Sequence, residues 1–340
     1  MAQRLTDVVE TSSLELQILS EAQLIPLRQM HLTARGLAQW SFARRTLQEC
    51  GGQLFLPFFD HAILGAVLDR RHVEGQISGI IFRPPNAYNY PSSIRHKLDS
   101  MRRWGTYLAA HRGAVRRLFT LDEVAPQTIA PSLAGILTFL PDPAPDLSLL
   151  HARERRLRTD GRRVFLLFGS LSRRKGIFTI LESLLYLRQG LRDSMVLRFV
   201  GRIPPQDCEA FMERIDAARN AFPEITIECL NDFVSDETLA QEVIDCDVVL
   251  APYENHIGSS GVLFWATAAR KPLISQRTGL IGYQMERYDL GFAVDTTDPR
   301  ALARALEAAN TSGTRPCNDD FLQAHHPVTF TSSLLDELLS

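Results

Sequence analysis

"VVLAPYENHIGSSGVLFWATAARKPLIS", residues 248–275, decides the fold. Val248 to Ala251 read as a short strand buried on both faces, because four consecutive apolar residues leave no polar side for water. A polar loop follows and closes on Gly258-Ser259-Ser260-Gly261. The spacing then predicts a helix over about 260–270 and a further strand at Pro272–Ser275. Strand, glycine-bearing loop, helix and strand make one unit of a parallel sheet, and such sheets bind ligands outside the carboxyl ends of their strands.

The alternation extends in both directions. Upstream lie Val164–Phe168, a helix from about Ile177, Val196–Val200, a helix over about 206–220, Thr226–Leu230 and a helix near 236–244; downstream lies Phe292–Val294. This predicts a doubly wound α/β domain. The first 150 residues offer candidate strands at Leu14–Leu19, Leu54–Phe58, Ile77–Phe82, Arg117–Thr120 and Ile136–Phe139, a less tidy series that predicts a second Rossmann-like domain. "LPDPAPDLS" (140–148), with three prolines, reads as the linker. The expected division is 1–148 and 149–325, with an amphipathic helix in 326–340 packing back on the first domain.

Bulk composition narrows the class. With 340 residues, 45% of them hydrophobic and 22% charged, the chain has material for two soluble cores. Thirty-seven Lys+Arg against thirty-nine Asp+Glu give no overall field suited to nucleic acid or to a strongly basic membrane protein, so an anionic ligand must be captured locally. The five cysteines form no CxxC pair and no zinc-ligand spacing, so neither disulfides nor structural zinc are expected. No signal-peptide succession and no run of about 20 apolar residues occurs, which makes the cytoplasm the expected compartment.

Two loops carry chemistry. Glycines allow close backbone approach, and the amides of Ser260, Gly261 and Val262 at a helix start form an anion cradle; the plainer reading is that Ser259 caps the helix and the glycines serve the turn. In "SLSRRKGIFTILESL" (170–184), Arg173, Arg174 and Lys175 precede a helix whose apolar residues recur at Ile177, Ile180, Leu181 and Leu184. Loops at strand ends of one sheet converge on one face, so Lys175 and the cradle are expected to share one diphosphate; a solvated basic turn is the alternative. Arg202, after Gly201 at another strand end, and His256 in the polar loop are further candidates. In the first domain, His61 with Asp60, Arg83, and Asp122 with Glu123 follow candidate strands, where acid–base or substrate-orienting work would fall to them or where they merely cap. The loop "FRPPNAYNYP" (82–91) suits contact with a sugar.

"FGSLSRRKGI", then "APYENHIGSSGVLFWATAARKPLIS", "TGLIG" and "LGFAVDTTDPRALARALEA", resemble in order the second domain of the retaining nucleotide-sugar glycosyltransferases of family 4. The resemblance covers about 160–310. It implies a GT-B-like architecture of two Rossmann-like domains facing a cleft, and transfer of a sugar from a nucleoside-diphosphate sugar to an acceptor hydroxyl with retention. The nucleotide sugar is a co-substrate, and no cofactor or metal is implied. On that resemblance Lys175 binds the diphosphate, Gly258, Ser259, Ser260, Gly261 and Val262 present amides to it, and the backbone near Phe233 and Val234 holds the base.

Departures from the pattern keep other readings open. Members carry an arginine after the strand-end glycine, whereas Ser170 follows Gly169 here and Arg173 or Arg174 supplies charge instead. A ribose-gripping glutamate is expected before Ala266, where this chain has Trp265, a residue equally suited to the core or to the pocket wall. Glu254 is either a substitute or a solvated carboxylate. The N-terminal stretch lacks the glycine-rich opening turn of the family, so either the first domain has lost its opening unit and is reduced, or the gene product starts late. A binder or partner protein without turnover is therefore the second reading, and an epimerase or phosphorylase on the same scaffold the third.

Overall fold

The computed structural model describes residues 20–69, 77–84, 101, 104–106, 108–109, 115–128, 135–254, 256, 258–311 and 319–339. The expected strand Leu14–Leu19, residues 85–91 of the Pro- and Tyr-rich loop, Ile257 and Cys317 lie outside these residues. Chain contacts define two units, Met1–Ile80 with Trp104–Arg117, and Ile81–Arg103 with Leu118–Ser340.

In the first unit, α1 (Glu21–Gln29) and α2 (Leu32–Cys50) precede β1 (Leu54–Leu56), α3 (Ile63–Leu68) and β2 (Ile77–Ile81). Strands β1 and β2 pair in parallel, Leu54 opposite Ile77 and Leu56 opposite Gly79. Helix α2 buries Gly36, Trp40, Ala43 and Thr46, one residue per turn of its inner face. Trp40 meets Phe59 edge-on at 6.4 Å, and its indole N–H donates to Asp69 at 2.9 Å. These helices are absent from the expectations drawn above.

The second unit opens with β3 (Arg117–Thr120) and β4 (Leu137–Phe139), whose parallel register places Leu118 opposite Leu137. It continues through β5 (Arg163–Phe168), α4 (Ile177–Ser183), β6 (Met195–Val200), α5 (Pro205–Ala221), β7 (Thr226–Leu230), α6 (Asp236–Asp245), β8 (Val248–Ala251), α7 (Gly261–Ala268), β9 (Leu273–Gln276), α8 (Gly279–Arg287), β10 (Gly291–Val294), α9 (Pro299–Thr311), α10 (Asp319–Ala324) and α11 (Pro327–Leu339). The starts are chemically marked: Pro205 opens α5 where a missing N–H costs nothing, and Ser235 caps α6 by accepting from the Thr238 amide at 3.3 Å.

Strands β5 to β10 form one parallel sheet in the order β10-β9-β8-β5-β6-β7. Side chains alternate between two cores. Phe165, Leu167, Leu197 and Phe199 join Ile177, Ile180, Phe211 and Leu306 on one face, while Leu166, Phe168, Val200 and Val249 join Val243, Leu263, Trp265 and Ile281 on the other. This explains the continuous apolar runs, since both faces are covered by helices and each buried large side chain contributes about 1.5–3 kcal/mol. The chain winds from β5 outward to β7, then crosses back to β8 on the other side of β5. That reversal is the topological switch point, and it leaves a crevice at the carboxyl ends of β5 and β8.

Candidate functional site

Both loops singled out above leave the sheet at this switch point. After β5, Gly169 has φ +91°, and a Cβ there would lie 2.7 Å from the Lys175 ammonium, so the glycine makes room for the lysine to fold beneath the strand end. Arg173 to Lys175 form one 3-10 turn, and Gly176 reverses the chain into α4 at φ +72°. A Cβ on Gly176 would stand 2.2 Å from the carbonyl oxygen of Pro252. The loop after β5 is thus pressed directly against the loop after β8, and the Glu254 amide donates to the Arg174 carbonyl at 2.9 Å.

Lys175 donates to the carbonyl of Phe168 and lies 5.8 Å and 5.9 Å from the ring centres of Phe168 and Tyr253. Burial, with Arg174 beside it, lowers its pKa to about 8. A cation held in such a place, with no carboxylate partner among the described residues, gains from any anion that reaches it.

Across the gap, Tyr253 and His256 stack at 4.8 Å, and the guanidinium of Arg174 lies 5.6 Å from the Tyr253 ring. Arg174 also donates to Nδ1 of His256, whose Nε2–H donates to the Ser259 carbonyl at 3.0 Å. The two contacts together require the neutral Nε2–H tautomer. Burial, reinforced by the cations Arg174, Arg83 and Lys175, lowers the His256 pKa and keeps that form in place at neutral pH, against the opposing pull of the Ser259 carbonyl. Gln276, at the end of β9, clamps the His256 backbone by accepting from its amide at 3.2 Å and donating to its carbonyl at 2.8 Å.

The helix cap is Ser260, not Ser259. Its hydroxyl accepts from the Val262 amide at 3.3 Å and pairs with the Tyr253 hydroxyl at 2.6 Å. Two adjacent serines make the cap ambiguous in sequence; the buried Tyr253 hydroxyl selects the second. The Val262 amide is therefore taken. The Ser260 and Gly261 amides carry no hydrogen bond among the described residues and head α7, where the helix dipole is positive. A Cβ on Gly261 would meet nothing within 4 Å. Ser259 instead turns its side chain to the buried carboxyl of Asp142, whose pKa burial raises.

The other candidates take separate places. The Glu254 carboxylate accepts from the Thr179 hydroxyl at 2.7 Å. Trp265 is 9% exposed and meets Phe168 edge-on at 6.5 Å, inside the core behind the cradle. Arg173 leans over Phe178 at 4.4 Å, with its amide held by Asp207. Ser170 is exposed beside Gly169, Arg202 is exposed and its carbonyl accepts from Leu171, and Val234 packs at the margin of the core. Phe233 is 82% exposed, an unusual state for a phenyl ring. Gly258 approaches the Phe82 carbonyl, next to exposed Arg83. His61 belongs to the first unit, stacked on Phe58. Tyr253, Gln276, Thr179 and Asp142 were not foreseen; Tyr253, Gln276 and Asp142 sit at or just after strand ends, the position rule that singled out the others, whereas Thr179 lies within α4.

Among the described residues no group of three His, Cys, Asp or Glu is placed to hold a metal ion, and no helix is long and apolar enough to cross a membrane. Comparison with known proteins agrees with the geometry. Residues 162–311 match the family model described as glycosyl transferases group 1. The fold is that of GT-B glycosyltransferases. The α,α-trehalose-phosphate synthase (UDP-forming) of Burkholderia vietnamiensis is similar with a TM-score of 0.68 at 12% identity, over 90% of this chain and 79% of that one. The Burkholderia xenovorans enzyme gives 0.68 at 13% identity over 90% and 78%, and an Escherichia coli structure with UDP-2-fluoro glucose gives 0.66 at 12% over 90% and 77%. No curated protein matches the sequence.

Proposed function

We propose that this protein is a retaining, family 4-like hexosyltransferase that moves a sugar from a nucleoside-diphosphate sugar to an acceptor hydroxyl. One observation carries the reading: at the switch point, a half-buried lysine with no carboxylate partner among the described residues and the open amides of Ser260 and Gly261 stand on two loops packed against each other. A diphosphate answers both. Its charge would draw Lys175 from the Phe168 carbonyl, and its oxygens would accept from the head of α7. As the bond to the sugar breaks, negative charge grows on the departing diphosphate, so groups fixed in advance around it stabilise the transition state more than the ground state. Arg174, braced by Tyr253 and His256, adds a second cation. His256, neutral and already donating to Ser259, serves to hold the loop.

UDP is the first ligand to test, because the similar solved enzymes are UDP-forming. Gly261→Val should leave the fold intact, since the added side chain enters open space, yet crowd the amides. UDP affinity should fall by at least about tenfold. Undiminished UDP affinity in a folded Gly261→Val protein would remove the cradle.

A binder without turnover remains the second reading, favoured by Trp265: the residue where the family resemblance expects a ribose carboxylate is packed in the core. Release of free UDP from UDP-glucose when acceptors are added separates the two, for a binder retains affinity and releases none.

A further inference from the structure

Three cysteine side chains are described, and they stand in different surroundings. Cys246 is fully buried, its thiol donates to the Val243 carbonyl at 3.2 Å, and burial pushes its pKa up to about 12. Cys208 and Cys229 are both half-buried and free, twenty-one positions apart with no motif joining them.

The fold sets this pair in one layer. Helix α5 turns Cys208, Phe211, Ile215 and Ala218 toward the sheet at helical spacing, and all four pack on the same core. Strand β7 turns Ile227 and Cys229 to that core as well. Cys229 pairs in register with Phe199 of β6, whose ring meets Phe211 at 5.3 Å. Two residues beyond Cys229, the side-chain amide of Asn231 donates to the Cys208 sulfur at 3.6 Å. Cys229 thus lies between two points at which the first turns of α5 reach the sheet. Its thiol registers the neighbour: burial raises the pKa, Arg219 and Arg198 pull it down, and Cys208 raises it again. Because β7 is the last strand of its sheet, both sulfurs stand near an edge and neither is sealed from solvent.

We propose that Cys208 and Cys229 are a modification site, a dithiol that hydrogen peroxide oxidises to an intramolecular disulfide. One thiolate attacks a peroxide oxygen, the O–O bond breaks, and a sulfenic acid forms with release of water. The second thiolate attacks that sulfur, makes the S–S bond and expels hydroxide, which leaves as water. Two thiols and one peroxide give one disulfide and two waters. The change reaches the sheet end through Asn231, whose side-chain oxygen accepts from the Ile203 amide at 2.9 Å and so ties the loop after β6 to the loop after β7. When the Cys208 sulfur turns to Cys229, Asn231 loses its second partner beneath the loops that carry Arg202 and Phe233. The inference stands whether or not the nucleotide reading holds, since the chemistry involves the thiols alone.

The test treats the full chain, free of reductant, with hydrogen peroxide in small excess, then alkylates the remaining thiols. Digestion combines trypsin with a glutamate-specific protease, which separates Cys229 from Cys246 by cutting at Glu237 and Glu242. Mass spectrometry should find the Cys208 and Cys229 peptides joined within single chains by a link that dithiothreitol reverses. The link should form at least about tenfold faster than Cys246 is lost, because a buried thiol of raised pKa is inert. Cys208→Ser keeps an acceptor for Asn231 and should abolish the link, leaving Cys229 as a sulfenic acid that dimedone traps. Should that variant fail to fold, the mapped link in the unaltered protein decides alone. Both cysteines still alkylated after peroxide, separate oxidation of each to the sulfinic acid, or linkage of either to another cysteine or another chain would overturn the proposal.

Discussion

The two loops at the switch point are built on opposite terms. In the loop after β5, Lys175 is half-buried with a lowered pKa, and among the described residues it hydrogen-bonds a backbone carbonyl and no carboxylate. In the loop after β8, neutral groups satisfy one another: Tyr253 with Ser260, His256 with Ser259, and Gln276 with both ends of the His256 peptide. A satisfied network rigidifies, whereas a buried charge without a counter-charge destabilises the free protein. On the proposed reading the first loop receives the ligand and the second supports it. Their contact through Gly176 and Pro252 makes the support effective, because the chain has no room there to relax.

The largest expected effect attacks the support from behind. Trp265→Glu places a carboxylate in the core beneath α7, and unfolding should become easier by on the order of 3–5 kcal/mol. A melting temperature close to that of the unaltered protein would mean that Trp265 faces the pocket and that the second loop lacks the rigid backing described here.

Lys175→Met sharpens the contrast in the other direction. The folded-state pKa of Lys175 is about 8 against an ordinary 10.5, so between these values the unfolded chain binds more protons and stability rises with pH. Below about pH 8 the full penalty of the buried cation is present. Methionine removes it, and denaturant unfolding at pH 7 should show a gain of about 2–3 kcal/mol that fades toward pH 10.5. No gain would show that the ammonium is better solvated than its burial implies.

How much of this was legible in the sequence follows from burial. Strands β5 to β9 are covered on both faces, so they read as unbroken apolar runs, and their bounds were found within one or two residues. Helix α2 escaped because its inner face is Gly36, Trp40, Ala43 and Thr46, small or polar apart from one ring, with Leu37 on the outside. Its apolar pattern is weak where it packs and misleading where it does not. Of the proposed site, charge and glycine mark Lys175 and Gly261 in the sequence, whereas Gln276 and Tyr253 act through neutral hydrogen bonds that no local pattern announces.

A smaller effect tests the network itself. Tyr253→Phe removes one hydroxyl from Ser260 while Ser260 keeps its bond to the Val262 amide. Stability should fall by about 1 kcal/mol, read as a lower denaturant midpoint at unchanged slope. A loss well beyond that would make Tyr253 a keystone rather than one member of a shared network.

The central claim is that Lys175 and the head of α7 meet the same diphosphate. Calorimetric titration of UDP and of uridine into the unaltered protein and into Lys175→Met tests it most directly. The account predicts that UDP binding weakens by about ten- to a hundredfold in the variant while uridine binding is unchanged. Equal weakening of both ligands, or UDP bound as tightly as before, would contradict it.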